Sequence, residues 1–233
     1  MNKQHDRIWA VVPAAGFGLR MGLKVPKQYL PLQGTPILAH TLAVLTQIPD
    51  FEQIIVALHP EDPYWSALTI TDPRILTVEG GVLRFESVCN ALSHIKDRAK
   101  PTDWVLVHDA VRPCMTAAQV MELMAQLKGD PVGGLWGVPV RDTLKQVDNE
   151  GRVVTTVPRE HLWHALTPQL FRFELLYRAL LKAKADNKVL TDEASAIEYL
   201  GHHPKMVQGH YSNIKITWPE DLATAAFYLE NKD

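Results

Sequence analysis

The sequence predicts an α/β fold in which helices flank a mostly parallel central sheet. Short apolar runs bounded by glycine or proline recur along the chain, as expected for strands that are covered on both faces. Segments with apolar residues three and four positions apart, which is the helical pattern, lie between these runs. Because strands and helices alternate, a parallel sheet is favoured. We expect a single domain over residues 1–233.

Strands are predicted where the apolar, β-branched runs are most continuous. The run at residues 104–107 is the most apolar of the first half of the chain. The predicted strands are residues 7–12, 51–58, 74–78, 104–107, 205–207 and 213–217, with a further short strand and turn within 28–34.

Helices are predicted from periodicity and from capping residues. Pro36 suits the first helical position because its missing N–H needs no partner there. Thr191 suits an N-cap, with two carboxylates in the turn that follows. The predicted helices begin at residue 35, cover 60–68 and 83–96, bury Val120, Leu123, Met124 and Leu127, cover 173–185, and begin at 191 and 219.

Residues 140–160, called the arm below, break the alternation. Two polar, β-branched segments surround a turn predicted at residues 149–151, which indicates a β-hairpin. A hairpin with little apolar surface is only marginally stable alone. We therefore expect the arm to pack on another subunit and to form a homodimer.

Composition excludes several classes of protein. The chain has 233 residues, 46% of them hydrophobic, and a formal net charge of -2, so it can bury a full core but has no basic field for nucleic acid. Cys89 and Cys114 form no paired framework, which predicts a reduced, cytoplasmic setting. No signal peptide and no apolar run of about 18 residues is present, so no membrane association is expected.

The stretch from residue 11 to residue 29 leaves the first strand and offers a small-residue loop and two cations. The loop is Pro13-Ala14-Ala15-Gly16-Phe17-Gly18, and Arg20 and Lys27 follow. The glycines permit close approach of the backbone to a ligand. Arg20 can make forked contacts to phosphate oxygens, and Lys27 adds a compact charge. This pattern predicts a site for a nucleotide triphosphate.

Two standard phosphate motifs do not match this loop. A dinucleotide-binding fingerprint needs glycine where Met21 stands, and a P-loop needs a Gly-Lys-Ser/Thr sequence that is not present after Gly16 or Gly18. The simplest alternative is a surface turn with two solvated cations. The preceding strand and the spacing of the cations favour the phosphate site.

Two further loops follow predicted strands, at residues 80–87 and 108–112. Ligands of open α/β sheets bind beyond the carboxyl ends of strands, so the loops can converge on one crevice. Asp109 can bind Mg2+ there together with phosphate oxygens. Alternatively, Asp109 caps a turn or pairs with Arg112. His108 and Cys114 are interpreted as packing residues.

These segments resemble the 2-C-methyl-D-erythritol 4-phosphate cytidylyltransferase family, which has the Rossmann-like nucleotide-diphospho-sugar transferase fold. The resemblance implies that Asp109 and the loop residues Pro13, Ala14, Ala15, Gly16 and Gly18 bind CTP.

The segment from Gly80 to Ser87 resembles the family's Gly-Gly-x-x-Arg-x-x-Ser motif, which implies that Gly81 and Ser87 recognise cytosine. Some relatives have aspartate where Val82 stands. The alternative is that Arg84 only pairs with Asp109 or another acid and that Ser87 is only a helix residue.

The resemblance extends to a second substrate. Arg141-Asp142-Thr143 and Arg159 resemble the arm that this family inserts into the partner subunit, which implies that Thr143 and Arg159 bind the acceptor phosphate. By the same similarity, Arg112, Thr167 and Thr191 face the acceptor. Each also has a simpler interpretation, such as an N-cap for Thr191 or a solvated charge for Arg159 and Lys215.

The implied reaction transfers CMP from CTP to 2-C-methyl-D-erythritol 4-phosphate and releases pyrophosphate. The implied catalytic cations are Arg20, Lys27 and Lys215, with Mg2+ on Asp109. Because the second pKa of a phosphomonoester is about 6, no general base is needed. The alternatives are a cytidylyltransferase for ribitol 5-phosphate or another polyol phosphate, and a nucleotide-sensing protein without turnover.

Overall fold

The computed structural model describes residues 6–16 and 25–231. The strands are β1 Ile8–Pro13, β2 Pro31–Leu32, β3 Thr35–Pro36, β4 Phe51–Leu58, β5 Ile75–Glu79, β6 Trp104–Val107, β7 Gly133–Pro139, β8 Leu144–Val147, β9 Val153–Val157, β10 Trp163–Arg172 and β11 Lys205–Gln208. The α-helices are α1 Ile37–Thr46, α2 Arg84–Ile95, α3 Ala117–Leu127, α4 Phe173–Ala185, α5 Glu193–Tyr199 and α6 Asp221–Glu230.

The central sheet has the strand order β11-β7-β10-β6-β1-β4-β5. β1 pairs in parallel with β4 and β6, β4 with β5, and β7 with β11. β10 runs antiparallel to both of its neighbours, β6 and β7. The mostly parallel sheet that the alternating pattern predicts is therefore confirmed.

Both faces of the sheet are covered by apolar layers. Side chains alternate along a strand, so in β1 Ala10 and Val12 join one core while Trp9 and Val11 join the other. Buried residues of α1 and α3 complete the first core, and those of α2, α4 and α5 complete the second. Each fully buried valine or leucine contributes about 1.5–3 kcal/mol, so these layers hold the strand ends in place.

The helices predicted to begin at residues 35, 191 and 219 begin two residues later, at Ile37, Glu193 and Asp221. Pro36 lies in β3, where it pairs with Pro31, and its ψ of 140° is not helical, so α1 begins at Ile37. At α5 the N-cap is Asp192 rather than Thr191, because the Asp192 carboxylate accepts the Ser195 N–H at 2.9 Å. In both places a helix follows, as predicted.

Two other elements are shorter or different from their predictions. Residues 60–68 contain only the 3-10 turn Trp65–Ala67, because the Asp62 carboxylate accepts the N–H groups of Tyr64 and Trp65 and closes a local turn. Residues 213–217 form no strand. Their backbone instead bends over the loop after β6, where the Ile216 N–H donates to the Val111 carbonyl at 2.9 Å.

Two strands of the central sheet were not predicted from the sequence, β10 Trp163–Arg172 and the glycine-containing β7 Gly133–Pro139. Gly133 has a φ of +108°, and a Cβ there would overlap the Leu170 carbonyl of β10. A Cβ on Gly134 would overlap the Lys205 carbonyl of β11. Glycine therefore lets β7 approach both neighbours, at the cost of the β-branched pattern that signals a strand.

The arm forms the predicted hairpin. β8 and β9 pair antiparallel in a separate two-stranded sheet, and the Asp148 carboxylate accepts N–H groups of Glu150 and Arg152 in the turn. Gly151 supplies the positive φ of 78° that this turn needs. Within residues 6–16 and 25–231, no helix is both long enough and apolar enough to cross a membrane.

Candidate active site

The carboxyl ends of β1, β5 and β6 open into one cavity of about 170 Å³, called the first cavity. The three loops that were predicted to converge all contribute to its wall. Its lining includes Pro13, Ala14, Ala15, Gly16, Lys27, Gly81, Ser87, Asp109 and Lys215, all of which were predicted site residues. Gly18 and Arg20 lie outside the described residues.

Hydrogen bonds between side chains and the backbone hold the walls of the first cavity. The Ala14 carbonyl accepts the Gln28 side-chain amide at 2.7 Å, and the Gly81 N–H donates to Ser87 Oγ at 3.0 Å. Gly80 permits this packing, because a Cβ there would lie 2.9 Å from Ser87 Oγ and would overlap the Ala15 side chain. Both loops therefore present backbone groups close to the cavity.

Lys27 begins the 3-10 turn Lys27–Tyr29 after the opening loop. Its Nζ donates to the Ile216 carbonyl at 3.3 Å, next to Lys215 in the chain. This contact brings the cation of the N-terminal loop beside the C-terminal segment. Lys27 and Lys215, which are far apart in sequence, thus line the same cavity.

Asp109 stands at the centre of a cluster of cations. Its Oδ1 is 2.9 Å from Arg84 Nε, and its Oδ2 is 2.9 Å from Lys215 Nζ and 3.3 Å from Arg112 Nε. Only 5% of the residue is exposed. Burial alone raises the pKa of Asp109, but the charges of Arg84, Lys215 and Arg112 outweigh it and hold that pKa well below its ordinary value.

Arg84 also forms a forked ion pair with Glu193, the first residue of α5. Its two terminal nitrogens lie 2.7 and 3.0 Å from the Glu193 oxygens. Burial raises the pKa of Glu193, and the adjacent guanidinium opposes this shift. Arg84 therefore pairs with Asp109, as the alternative interpretation supposed, and also with a second acid, while it still lines both cavities. No sequence pattern indicated Glu193 as the partner, since the two residues are 109 positions apart.

A second cavity, of about 220 Å³, adjoins the first. The two cavities share Arg84, Asp109 and Lys215. Three of the predicted acceptor residues, Arg112, Thr167 and Thr191, line the second cavity. The other two, Thr143 and Arg159, are exposed on the arm of the same chain and line neither cavity.

A buried hydrogen-bond network supports the wall between β6 and β10. Thr167 Oγ1 accepts the Asp109 N–H at 3.1 Å and lies 3.0 Å from His108 Nδ1. His108 Nε2 lies 3.0 Å from the Arg112 carbonyl, and Asn213 Nδ2 donates to the Thr167 carbonyl at 2.7 Å. Burial lowers the pKa of His108 to about 4, although the Arg112 carbonyl and the Asp109 carboxylate oppose the shift. His108 is therefore buried, as its packing role predicts, but it is also bonded at both ring nitrogens.

Comparison with known proteins places this site in a family. Residues 8–231 match the family described as 2-C-methyl-D-erythritol 4-phosphate cytidylyltransferase. The chain belongs to this family.

Curated members of the 2-C-methyl-D-erythritol 4-phosphate cytidylyltransferase family include relatives at half identity. The Pseudomonas syringae pv. tomato protein is 50% identical over 216 residues, with 92% of each chain covered. The Dechloromonas aromatica protein is 50% identical over 226 residues, covering 96% of this chain and 97% of the relative.

Solved structures of the family share the fold. The Francisella tularensis structure has a TM-score of 0.84 at 38% identity and covers 96% of this chain and 100% of that one. The Thermus thermophilus structure has a TM-score of 0.78 at 29% identity and covers 96% and 99%.

The acid content of the site limits how Mg2+ can bind. Asp109 is the one carboxylate among the described residues that line the first cavity. Residues 6–16 and 25–231 contain no group of three His, Cys, Asp or Glu side chains placed to hold a metal. Three cations already contact the Asp109 oxygens, which together offer about four lone pairs. The residues therefore fit Mg2+ only as a site completed by phosphate oxygens and water.

Proposed function

We propose that this protein transfers CMP from CTP to 2-C-methyl-D-erythritol 4-phosphate, forming 4-diphosphocytidyl-2-C-methyl-D-erythritol and pyrophosphate. The observation that carries the proposal is the pair of cavities that meet at Arg84, Asp109 and Lys215. A reaction between two substrates needs one shared centre where the reacting atoms meet. The family to which the chain belongs supplies the identity of the two substrates.

The nucleotide occupies the first cavity. Pro13, Ala14, Ala15, Gly16 and Gly18 surround the nucleotide, and Gly81 and Ser87 recognise the cytosine base. The buried hydroxyl of Ser87 and its bond to the Gly81 N–H support a fixed, backbone-based recognition. Val82 also lines the first cavity, and its apolar, 97% exposed side chain has no hydrogen-bonding group to offer the base.

The acceptor occupies the second cavity, and its phosphate attacks the α-phosphorus of CTP. A phosphate oxygen forms the new bond to phosphorus while the bond to the pyrophosphate oxygen breaks, so pyrophosphate leaves with its charge. The nucleophile is already an anion because the second pKa of a phosphomonoester is about 6. No residue has to remove a proton, and positioning and charge stabilisation supply the acceleration.

The cations overcome the repulsion between the two polyanions. Lys215 lies at the junction of the cavities and is oriented by its 2.9 Å contact with Asp109. Lys27 lines the first cavity from the opposite loop, and Arg20 completes the set from the segment outside the described residues. Cations that are oriented before substrate binds need no reorganisation as charge develops on the α-phosphoryl oxygens.

Asp109 has two functions in this proposal. It orients Lys215 and Arg112, and it would hold Mg2+ together with the phosphate oxygens of the triphosphate. When bound there, the ion would supply further neutralisation of the phosphate charge. Because three cations surround Asp109, we expect the free protein to bind the ion weakly and the CTP complex to bind it more tightly.

The acceptor site is completed by a second subunit. Thr143 and Arg159 of the arm bind the acceptor phosphate in the partner, while Arg112, Thr167 and Thr191 of the same chain contact the rest of the acceptor. The proposal of a homodimer is supported by Val147, Val153 and Val154, which are between 51 and 63% exposed on the arm. An isolated two-stranded hairpin gains stability when such side chains are covered. Cys89 and Cys114 are buried and not joined in a disulfide, which supports a reduced, cytoplasmic setting.

The function is tested by pyrophosphate release from CTP with alternative acceptors. We expect release that requires 2-C-methyl-D-erythritol 4-phosphate and that falls strongly when ribitol 5-phosphate replaces it. Preference for ribitol 5-phosphate would reassign the acceptor. Binding of CTP without release with either acceptor would instead support the nucleotide-sensing alternative.

A further inference from the structure

His108 lies behind the wall of the second cavity, where it connects β10 to the loop after β6. The side chain is fully buried and lines neither cavity. Its two nitrogens contact Thr167 on β10 and the carbonyl of Arg112 in the loop after β6. Thr167 in turn accepts the N–H of Asp109. The His108 ring is therefore hydrogen-bonded to Thr167 and Arg112 directly and to Asp109 through Thr167.

The partners determine which nitrogen of His108 carries the proton. A backbone carbonyl can only accept, so the contact with the Arg112 carbonyl requires a proton on Nε2. In the neutral ring, Nδ1 is then an acceptor. The Thr167 hydroxyl accepts from the Asp109 N–H, so its own proton is available to donate to Nδ1. Each donor in this chain of hydrogen bonds thus has an acceptor, and Thr167 Oγ1 both accepts one bond and donates another.

We propose that His108 is a positioning residue that fixes the Thr167 hydroxyl and the Asp109–Arg112 loop for binding of the acceptor. The inference rests on the proposed function, because it assigns the second cavity to the acceptor. The proton of Thr167 points to His108, so Thr167 can only accept a further hydrogen bond. It therefore matches a hydroxyl group of the polyol rather than a fully ionised phosphate, which has no proton to donate.

The hydrogen-bond polarity is tested without turnover. In protein labelled with 15N at histidine, we expect the His108 resonances of the Nε2–H form, with an unprotonated Nδ1. Thr167→Val removes the donor to Nδ1, and we expect it to shift the Nδ1 resonance while Nε2 stays protonated. The Nδ1–H form in the wild-type protein would overturn the inference whatever the substrate proves to be.

A double-mutant cycle tests the coupling to catalysis. His108→Gln keeps an amide donor near the Nε2 position but loses the acceptor for Thr167, and Thr167→Val removes the other side of the same bond. His108→Gln should lower kcat/KM for the acceptor about tenfold while KM for CTP changes little, as for loss of one net hydrogen bond. Thr167→Val also removes the acceptor for the Asp109 N–H and the proposed contact with the polyol, so its loss should be larger. Because Thr167→Val already breaks the bond to His108, the double variant should lose little more than Thr167→Val alone.

Control variants separate positioning from packing. His40 lies outside the site and contacts the Leu32 carbonyl at 2.8 Å, so His40→Gln should leave both KM values unchanged. Thr167→Ser retains the hydroxyl and should retain most of the wild-type activity. Losses of the two single variants that multiply in the double variant, or equal rises in both KM values, would overturn the inference. Wild-type pyrophosphate release that does not depend on the acceptor would overturn the proposed function instead.

Discussion

Lys215→Ala removes one of the two cations among the described residues, Arg84 and Lys215, that line both cavities. The side chain is 37% exposed, and its Nζ lies 2.9 Å from Asp109 Oδ2, so the ammonium group is oriented but still reaches solvent. In the proposed reaction, charge on the α-phosphoryl oxygens would develop beside this ammonium group. The variant therefore tests how much of the acceleration comes from one fixed cation.

The magnitude follows from the loss of one oriented donor. Removal of a single such donor from a transition state typically costs about 2.7–4 kcal/mol, which is a factor of about 10²–10³ in kcat. Because water can partly replace the exposed ammonium group of Lys215, we expect the lower end, about a hundredfold. The fold should remain intact, since Asp109 keeps its contacts with Arg84 and Arg112.

The assay is pyrophosphate release at saturating concentrations of both substrates. The matched control is Lys205→Ala. Lys205 is an exposed residue of β11 that lines neither cavity, and its Nζ donates to the Gln126 carbonyl at 3.4 Å. We expect wild-type kcat for the control. A kcat for Lys215→Ala within about fivefold of wild type would refute the electrostatic role, because that loss is below the effect of one oriented donor.

Four further predictions follow from the same site. Lys27→Ala should lower kcat by orders of magnitude in pyrophosphate release while circular dichroism remains that of the folded protein, and near-normal turnover would remove Lys27 from the chemistry. Asp109→Asn should destabilise the fold by about 3–5 kcal/mol at pH 7, because it leaves buried cations without their carboxylate. Since the pKa of Asp109 is lowered on folding, its stabilisation is complete above the ordinary value of about 3.9 and is lost at lower pH. Urea unfolding should therefore show a smaller difference from wild type at pH 3 than at pH 7, and a constant difference would contradict the ion-pair account. Mg2+ titrated calorimetrically should bind far more weakly to the free protein than to its CTP complex, whereas equal affinity would contradict a shared metal site. When equal amounts of Lys215→Ala and Arg159→Ala subunits are mixed, about a quarter of wild-type activity should return, because half of the random dimers are mixed and each of these has one intact site of two. No recovery despite subunit exchange would contradict insertion of the arm into the partner subunit.

The sequence pattern predicted elements well where local periodicity and tertiary packing agree. The bounds of β4, β6 and α4 coincide with the predicted ranges 51–58, 104–107 and 173–185. Strand β7 was not predicted, because Gly133 and Gly134 serve close contacts with two neighbours rather than strand propensity. Residues 213–217 have an apolar pattern because Ile216 packs into a small core, not because they pair in the sheet.

The site was predictable where residues follow strands in short loops. Asp109 and the loop from Pro13 to Gly16 come together because parallel strands end at the same edge of the sheet. The Arg84–Glu193 ion pair was not predictable, because it depends on how α5 packs beside the start of α2. The bonds of His108 depend equally on β10, whose antiparallel direction no local pattern indicates.

In the proposed reaction, the acceptor phosphate attacks the α-phosphorus of CTP in the shared site. Turnover of 2-C-methyl-D-erythritol 4-phosphate whose phosphate oxygens carry 18O, followed by 31P NMR of the products, shows which oxygen forms the new bond. We predict one 18O in the bridge between the two phosphorus atoms of the cytidylyl product and none in pyrophosphate. Unlabelled CMP with unlabelled pyrophosphate, or 18O recovered only in unreacted acceptor, would contradict the proposed reaction.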